Sequence, residues 1–236
     1  MALELARQGA AVLLVYTSES STPKAEAVLG EIAALPTPPE ASRVQVDLTS
    51  ADAPAGILSA LDSWLGPSSH VDILVNNAGV EVVKPLADTT PADYDKVYSL
   101  NVHAPIRLTQ ALLPRLNPEG GNRIINIGSV GSRAGFAGLG LYCSSKAALE
   151  GLTRCWAAEL GGDGTTVNQV NPGPVQSEML ANIPPEIVEG QKRNTPVQRR
   201  LGTVKEVAEV VAWLASPASS WITGQVLSAS GGWAMY

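Results

Sequence analysis

Strand-like and helix-like runs alternate along the whole of this sequence, and that alternation restricts it to a parallel sheet with helices on both faces. Short apolar runs predict strands at residues 11–16, 43–46, 71–75, 123–127, 166–170 and 225–228. Longer amphipathic stretches between them predict helices at 23–35, 52–65, 91–116, 141–160 and 203–215. Thr22-Pro23 and Thr90-Pro91 each set a capping hydroxyl before a proline, and Thr203 with Glu206 fits a capping box. Pro105 lies inside the long helix at 91–116 and predicts a break or kink near Asn101, because proline has no amide to donate.

Composition narrows the function classes. With 236 residues and 45% hydrophobic content, the sequence reads as one soluble domain spanning 1–236. A net charge of −6 without a concentrated basic face argues against nucleic acid as a partner. The densest basic stretch, 192–200, reads as a solvated loop. No run of 18 apolar residues and no leader pattern is present, so the expectation is a cytoplasmic protein without a membrane partner. His70 and His103 have no ligand-like spacing to Cys143 and Cys155, so no metal is expected. The two cysteines lie about three turns apart on one predicted helix, out of bridging reach.

The chemistry concentrates around Tyr142-Cys-Ser-Ser-Lys146, with Ser129 ending the strand at 123–127. A phenol titrates near pH ~10, and an ammonium one helical turn away favours the phenolate and lowers that value. Tyr142 is then equipped to give or take a proton, and Ser129 to donate a hydrogen bond to the same substrate oxygen.

These residues, together with Val46-Asp47-Leu48, Asn76-Asn-Ala-Gly79, Asn101, Asn171-Pro-Gly-Pro-Val175, Ile222-Thr-Gly-Gln-Val-Leu227 and Gly231-Gly232, make the chain resemble the short-chain dehydrogenase/reductase family from residue 1 to its end. The resemblance implies a Rossmann-type, three-layer α/β fold and a reductase or dehydrogenase of a hydrophobic or aromatic carbonyl or alcohol. It implies that Tyr142 is the general acid/base, that Lys146 lowers its pKa and holds the nicotinamide ribose, and that Ser129 orients the carbonyl. Asn101 would complete a proton relay through water and Lys146. Asp47 and Leu48 would flank the adenine, Asn76, Ala78 and Gly79 would line the cofactor cleft, and Pro172, Gly173 and Val175 would cover the nicotinamide, with Ser177 near its carboxamide. Hydroxyls rather than a carboxylate stand directly after the strand at 11–16, which favours NADP over NAD. A homodimer or homotetramer is implied, with Trp221, Trp233 and Tyr236 as interface candidates. Ala134, Phe136, Leu139, Met179 and Ile183 are candidates for the substrate pocket.

The sequence departs from the family at its start. It opens on what reads as the end of a helix, with neither the family's first strand nor the glycine-rich turn that holds the pyrophosphate. That strand belongs in the middle of the sheet, so its absence predicts two facing edges about 9.6 Å apart, twice the ~4.8 Å strand spacing. The sheet must close up, borrow a strand, or fold poorly. Three readings follow: a shortened form of an ordinary NADPH-dependent ketoreductase, with Met1 an internal methionine; a non-redox isomerase, dehydratase or cyclase that uses Tyr142, Ser129 and Lys146 without nicotinamide; and a non-catalytic partner of an intact relative.

Overall fold

The computed structural model describes residues 1–177 and 184–236. In chain order the principal elements are α1 (Ala2–Arg7), β1 (Val12–Tyr16), α2 (Thr22–Ala33), β2 (Ala41–Gln45), α3 (Ala53–Leu65), β3 (Ile73–Asn76), α4 (Pro91–Tyr98), α5 (Ala104–Leu112), β4 (Arg123–Ile127), α6 (Gly140–Leu160), β5 (Thr166–Pro172), α7 (Pro185–Arg193), α8 (Val204–Ala215) and β6 (Val226–Ala229). Every strand pairing is parallel. The parallel α/β architecture expected from the alternation is therefore present.

The expected sheet is, however, in two pieces. β1 pairs with β2, and a separate sheet runs β3-β4-β5-β6. Among the described residues no strand pairs the second edge of β1 or of β3. Between those edges lies a cavity of about 600 Å³, lined by residues 11–15 on one side and 71–73, 75 and 76 on the other. Leu48, Ile57, Leu61, Leu108 and Leu112 close it with apolar side chains. Of the outcomes foreseen for two facing edges, neither closing up nor filling the gap with another strand is seen among the described residues. Side chains from α3 and α5 line the gap and belong to one apolar cluster with Leu13, Val15 and Leu74.

Period-two alternation assigns the core. In β4, Ile124 joins Ile57, Leu61, Leu74 and Leu112 on one face. Its neighbour Ile125 joins Val170, Val207, Val211 and Leu214 on the other, against α8. β4 is buried at all five residues, as a parallel strand covered by helices on both faces must be.

Helix boundaries follow local chemistry, with three corrections. Thr90 with Asp93 and Thr203 with Glu206 form reciprocal capping boxes, as their spacing predicts. Thr22 instead lies inside α2 and donates from Oγ1 to the Tyr16 hydroxyl at 3.3 Å, so the preceding Ser21 stands at the cap without a side-chain bond. The long helix expected at 91–116 divides into α4, a π-helical turn at Ser99–His103, α5 and a 3₁₀ turn at Leu113–Arg115. Pro105 has no amide to offer the carbonyl of Asn101, and the wider turn absorbs the mismatch. The third correction is α7, an unforeseen helix entered through Pro184 and Pro185, which holds the first two cations of the supposed basic loop.

Candidate active site

Ser129 follows β4 directly. Its backbone is extended, and its Oγ accepts from Gly131 N at 3.0 Å, which opens the short 3₁₀ turn Val130–Ser132. Its own amide donates to Asn171 Oδ1 at 3.1 Å, so β5 fixes where the serine begins. Tyr142 stands in the first turn of α6, close enough to Ser129 for the serine hydroxyl to act on its phenol. Lys146, one turn on, is buried and donates from Nζ to the Ile127 carbonyl at 2.8 Å. The ammonium lies 5.9 Å from the centre of the Tyr142 ring.

Asn101 completes this group from the π-helical turn. Its Oδ1 accepts from Val80 N at 2.8 Å, and its Nδ2 donates to Val80 O and to Ser145 Oγ, both at 2.9 Å. The side chain thus ties the loop after β3 to α6, while Pro105 leaves the Asn101 carbonyl without its helical donor. A Cβ on Gly79 would stand 3.1 Å from Lys146 Nζ and 3.4 Å from Asn101 Oδ1. Residues 79, 101, 129, 142 and 146, drawn from four separate segments, are therefore packed into one small volume.

The electrostatics correct one expectation. Burial raises the Tyr142 pKa above its ordinary value; the Ser129 hydrogen bond pulls it back, while Glu81 and Cys143 push it further up. Burial also lowers Lys146 to about 8. Lys146 does not bring the phenol below its usual value, because the ammonium is turned to the Ile127 carbonyl and is itself disfavoured by desolvation. Tyr142 is thereby held as a protonated phenol at neutral pH, a proton donor.

The remaining expected residues divide into two sets. Pro172 ends β5, and Gly173 packs so closely on Ser230 that a Cβ would fall 2.7 Å from the serine Cβ. Val175 bridges to Gly202, and Ser177 is exposed beyond it. Asn76 is buried with its Nδ2 on Asn126 Oδ1 at 2.9 Å, so its side chain is committed to the sheet; with Ala78 it borders the cavity. Asp47 and Leu48 stand beyond the end of β2, across that cavity from β3. The Asp47 carboxyl is held below its usual value by the Thr49 amide and hydroxyl, and the Leu48 carbonyl accepts from Arg107 at 2.9 Å. Phe136 meets the Trp233 ring at 5.5 Å, Tyr236 lies under the Arg133 guanidinium at 4.1 Å, and Trp221 is almost fully exposed. Met179 and Ile183 lie outside the described residues.

Sequence reasoning missed Glu150, Asn171 as a side-chain partner, and Glu81. The signal for Glu150 was present: a carboxylate two turns after Tyr142 on a helix whose same face is otherwise buried. Its role depends on Ser132, Arg133 and Asn171, which no local pattern connects to it.

The family model described as enoyl-(acyl carrier protein) reductase matches residues 1–234. The chain belongs to the short-chain dehydrogenase/reductase family. Among its relatives is the short-chain dehydrogenase/reductase FrzI of a Cladobotryum species, 41% identical over 98% of this chain and 89% of the relative. Hydroxynaphthalene reductase arp2 of Aspergillus fumigatus is 32% identical over 97% of this chain and 85% of its own length. A solved structure of a blue fluorescent protein from a metagenomic library, in complex with NADPH, superposes with a TM-score of 0.86 at 37% identity, covering 98% of this chain and 91% of that one. This short-chain dehydrogenase/reductase is accordingly an oxidoreductase acting on small molecules. Among its described residues no helix is long and apolar enough to cross a membrane.

Proposed function

We propose that this protein is an NADPH-dependent reductase of a hydrophobic or aromatic carbonyl compound, with Tyr142 as general acid. The observation that carries this reading is that Ser129, Tyr142 and the buried Lys146 ammonium are packed together, with Gly79 and Asn101 against the lysine. NADPH, when bound, supplies a hydride to the carbonyl carbon. The chain's own residues supply the rest. Ser129 donates a hydrogen bond to the carbonyl oxygen, and Tyr142, protonated at neutral pH, delivers the proton that converts the developing alkoxide to an alcohol. Lys146 lies one turn on, its ammonium 5.9 Å from the centre of the Tyr142 ring, placed to hold the nicotinamide ribose.

The residues present fit a nicotinamide ribose at Lys146 and Tyr142, where Gly79 leaves room that a Cβ would fill. Pro172, Gly173, Val175 and Ser177 then flank the nicotinamide, and Asn76, Ala78 and Gly79 flank the cleft. After β1, at the end proposed for the adenosine, the hydroxyls of Ser18, Ser20 and Ser21 cluster at 2.8 and 3.2 Å, and Arg43, paired with Glu26 at 2.7 Å, also donates to the Tyr16 hydroxyl. Hydroxyls directly after the strand tolerate a 2′-phosphate, which favours NADP over NAD. The Phe136 and Trp233 rings next to the turn after Ser129 favour an apolar, planar substrate. Relatives named hydroxynaphthalene reductase support the same substrate class.

Titrating the purified protein with NADPH and NADH, followed by turnover on a panel of aromatic and aliphatic ketones, tests the proposal. Saturable binding with preference for NADPH and reduction of aryl ketones is expected. A folded protein that binds neither nucleotide would overturn the redox reading and leave Tyr142, Ser129 and Lys146 as a set for non-redox proton transfer.

A further inference from the structure

Glu150 is a buried carboxylate that the proposed proton transfer does not use, and four side chains converge on it. Its Oε1 accepts from the Ser132 hydroxyl and from Asn171 Nδ2 at 2.9 Å; its Oε2 accepts from Arg133 Nε at 3.0 Å; and Arg154 stands 3.9 Å away on the same helix. Burial pushes its pKa up, but the bonds from Ser132, Asn171 and Arg133 outweigh that and hold it below the usual carboxylate value. Asn171 is a fork in this network. Its Oδ1 receives the Ser129 amide and Gln169 Nε2, while Nδ2 also reaches Ser132 Oγ at 2.8 Å and the Tyr236 hydroxyl at 2.7 Å. Ser132 closes the circuit: its amide donates to the Ser129 carbonyl at 3.0 Å, and its single hydroxyl proton is shared between that carbonyl, 2.8 Å away, and Glu150. Both backbone polar groups of Ser129 are therefore held by residues that themselves rest on Glu150.

We infer that Glu150 is a positioning residue: it holds the turn at 129–133 against α6 so that Ser129 faces Tyr142, and it fixes Tyr236 to the same node through Asn171 and Arg133. The geometry explains why a carboxylate is placed there. Tyr142 and Glu150 lie eight residues apart on one helix, about 12 Å at the α-helical rise, so a single element carries the acid in its first turn and the clamp near its middle. A charged acceptor makes stronger, shorter hydrogen bonds than a neutral one, and its desolvation is repaid only while all its donors stay in place. The close approach also depends on Gly128, where a Cβ would fall 2.0 Å from Asn171 Oδ1. Glu150 touches no reacting atom. It acts through Ser129, and this inference rests on the roles given above to Ser129 and Tyr142.

The test is a double-mutant cycle between Glu150→Ala and Ser129→Ala, read as kcat and KM on the best ketone of the panel and paired with crystal structures of the variants. Glu150→Ala is expected to lower kcat ~10²-fold, with KM for NADPH within about two-fold of the parent, because misplacing an orienting group costs turnover rather than cofactor binding. Added to Ser129→Ala it should cost little more, since both changes remove one contribution. Glu150→Gln keeps an acceptor for Ser132 and Asn171 and should recover ~10-fold of the loss. It also serves if the alanine variant does not fold. Its crystal structure should show Arg133 released from the node, and the alanine structure should show the turn at 129–133 shifted off α6. A turn left in place with kcat within about two-fold of the parent, or losses that multiply in the double variant, would overturn the inference. If Ser129→Ala and Tyr142→Phe are both fully active, the proposed function falls instead, and the position of the turn in the crystals still decides the case of Glu150.

Discussion

The two sheets of this protein are built from similar strands, yet they differ in how completely their surroundings satisfy them. In the β3–β6 sheet, β4 is buried along its whole length and paired on both sides, and α8 covers one face from a reciprocal capping box. In the β1–β2 sheet, β1 is paired on one side only, most of its residues are half-buried, and its following helix α2 begins without a side-chain cap. The group proposed for proton transfer belongs to the first region, while Asp47, Leu48 and the hydroxyl cluster proposed for the adenosine end belong to the second. The two sheets thus satisfy their edges to different degrees, because strand pairing and helix packing are local to each piece.

The largest expected effect falls in the β3–β6 region. Tyr142→Phe should lower turnover by ~10³-fold without changing the melting temperature by more than a degree or two, since general acid catalysis contributes on that scale and the ring remains. An active variant would remove the catalytic distinction between the two regions.

Packing should separate them next. Ile125→Ala in β4 is expected to cost ~2–5 kcal/mol by urea melts, because its site is close-packed. Val15→Ala in β1, beside the existing cavity, should cost only ~1 kcal/mol, and β1 amides should exchange with solvent before those of β4 and β5. Equal losses would mean that the gap is no weaker than the rest.

A smaller effect tests the buried lysine. Lys146 titrates near 8 in the folded chain against 10.5 ordinarily, so below pH 8 the folded state carries a desolvated charge that the unfolded state carries at no such cost. Between about 8 and 10.5 the unfolded chain binds more protons, and stability should rise with pH through that window. Lys146→Met should abolish activity yet stabilise the fold at pH 7 by on the order of 2 kcal/mol, the desolvation relieved less the lost bond to Ile127. A variant that melts below the parent at pH 7 would refute this.

The smallest contrast lies in the caps: Thr203→Ala should cost ~1 kcal/mol, whereas Ser21→Ala should be nearly neutral because its hydroxyl caps nothing.

Much of the fold was legible in the sequence because its signals are short-range. The six strands were placed within about two residues, Thr90 and Thr203 marked their helices, and Pro105 marked the irregular turn, since each depends on neighbours one to four positions away. The proposed group of Ser129, Tyr142, Lys146 and Asn101 was legible for the same reason, as a strand end, a helix face and a break. What failed was whatever depended on the balance between distant groups. Thr22 left its cap for Tyr16, a partner on the preceding strand. Tyr142 was expected below its ordinary pKa and stands above it, because burial by surrounding elements outweighs an ammonium one turn away.

The sequence by itself determined the period of each element, and hence a parallel sheet covered on both faces. Only the tertiary structure decided that this sheet stays divided around an apolar cavity, and that Glu150, Asn171 and Tyr236 meet behind Ser129. The reason is physical: secondary structure is set by contacts within one or two turns of chain, whereas a cavity or a buried carboxylate exists only once segments far apart in sequence enclose it.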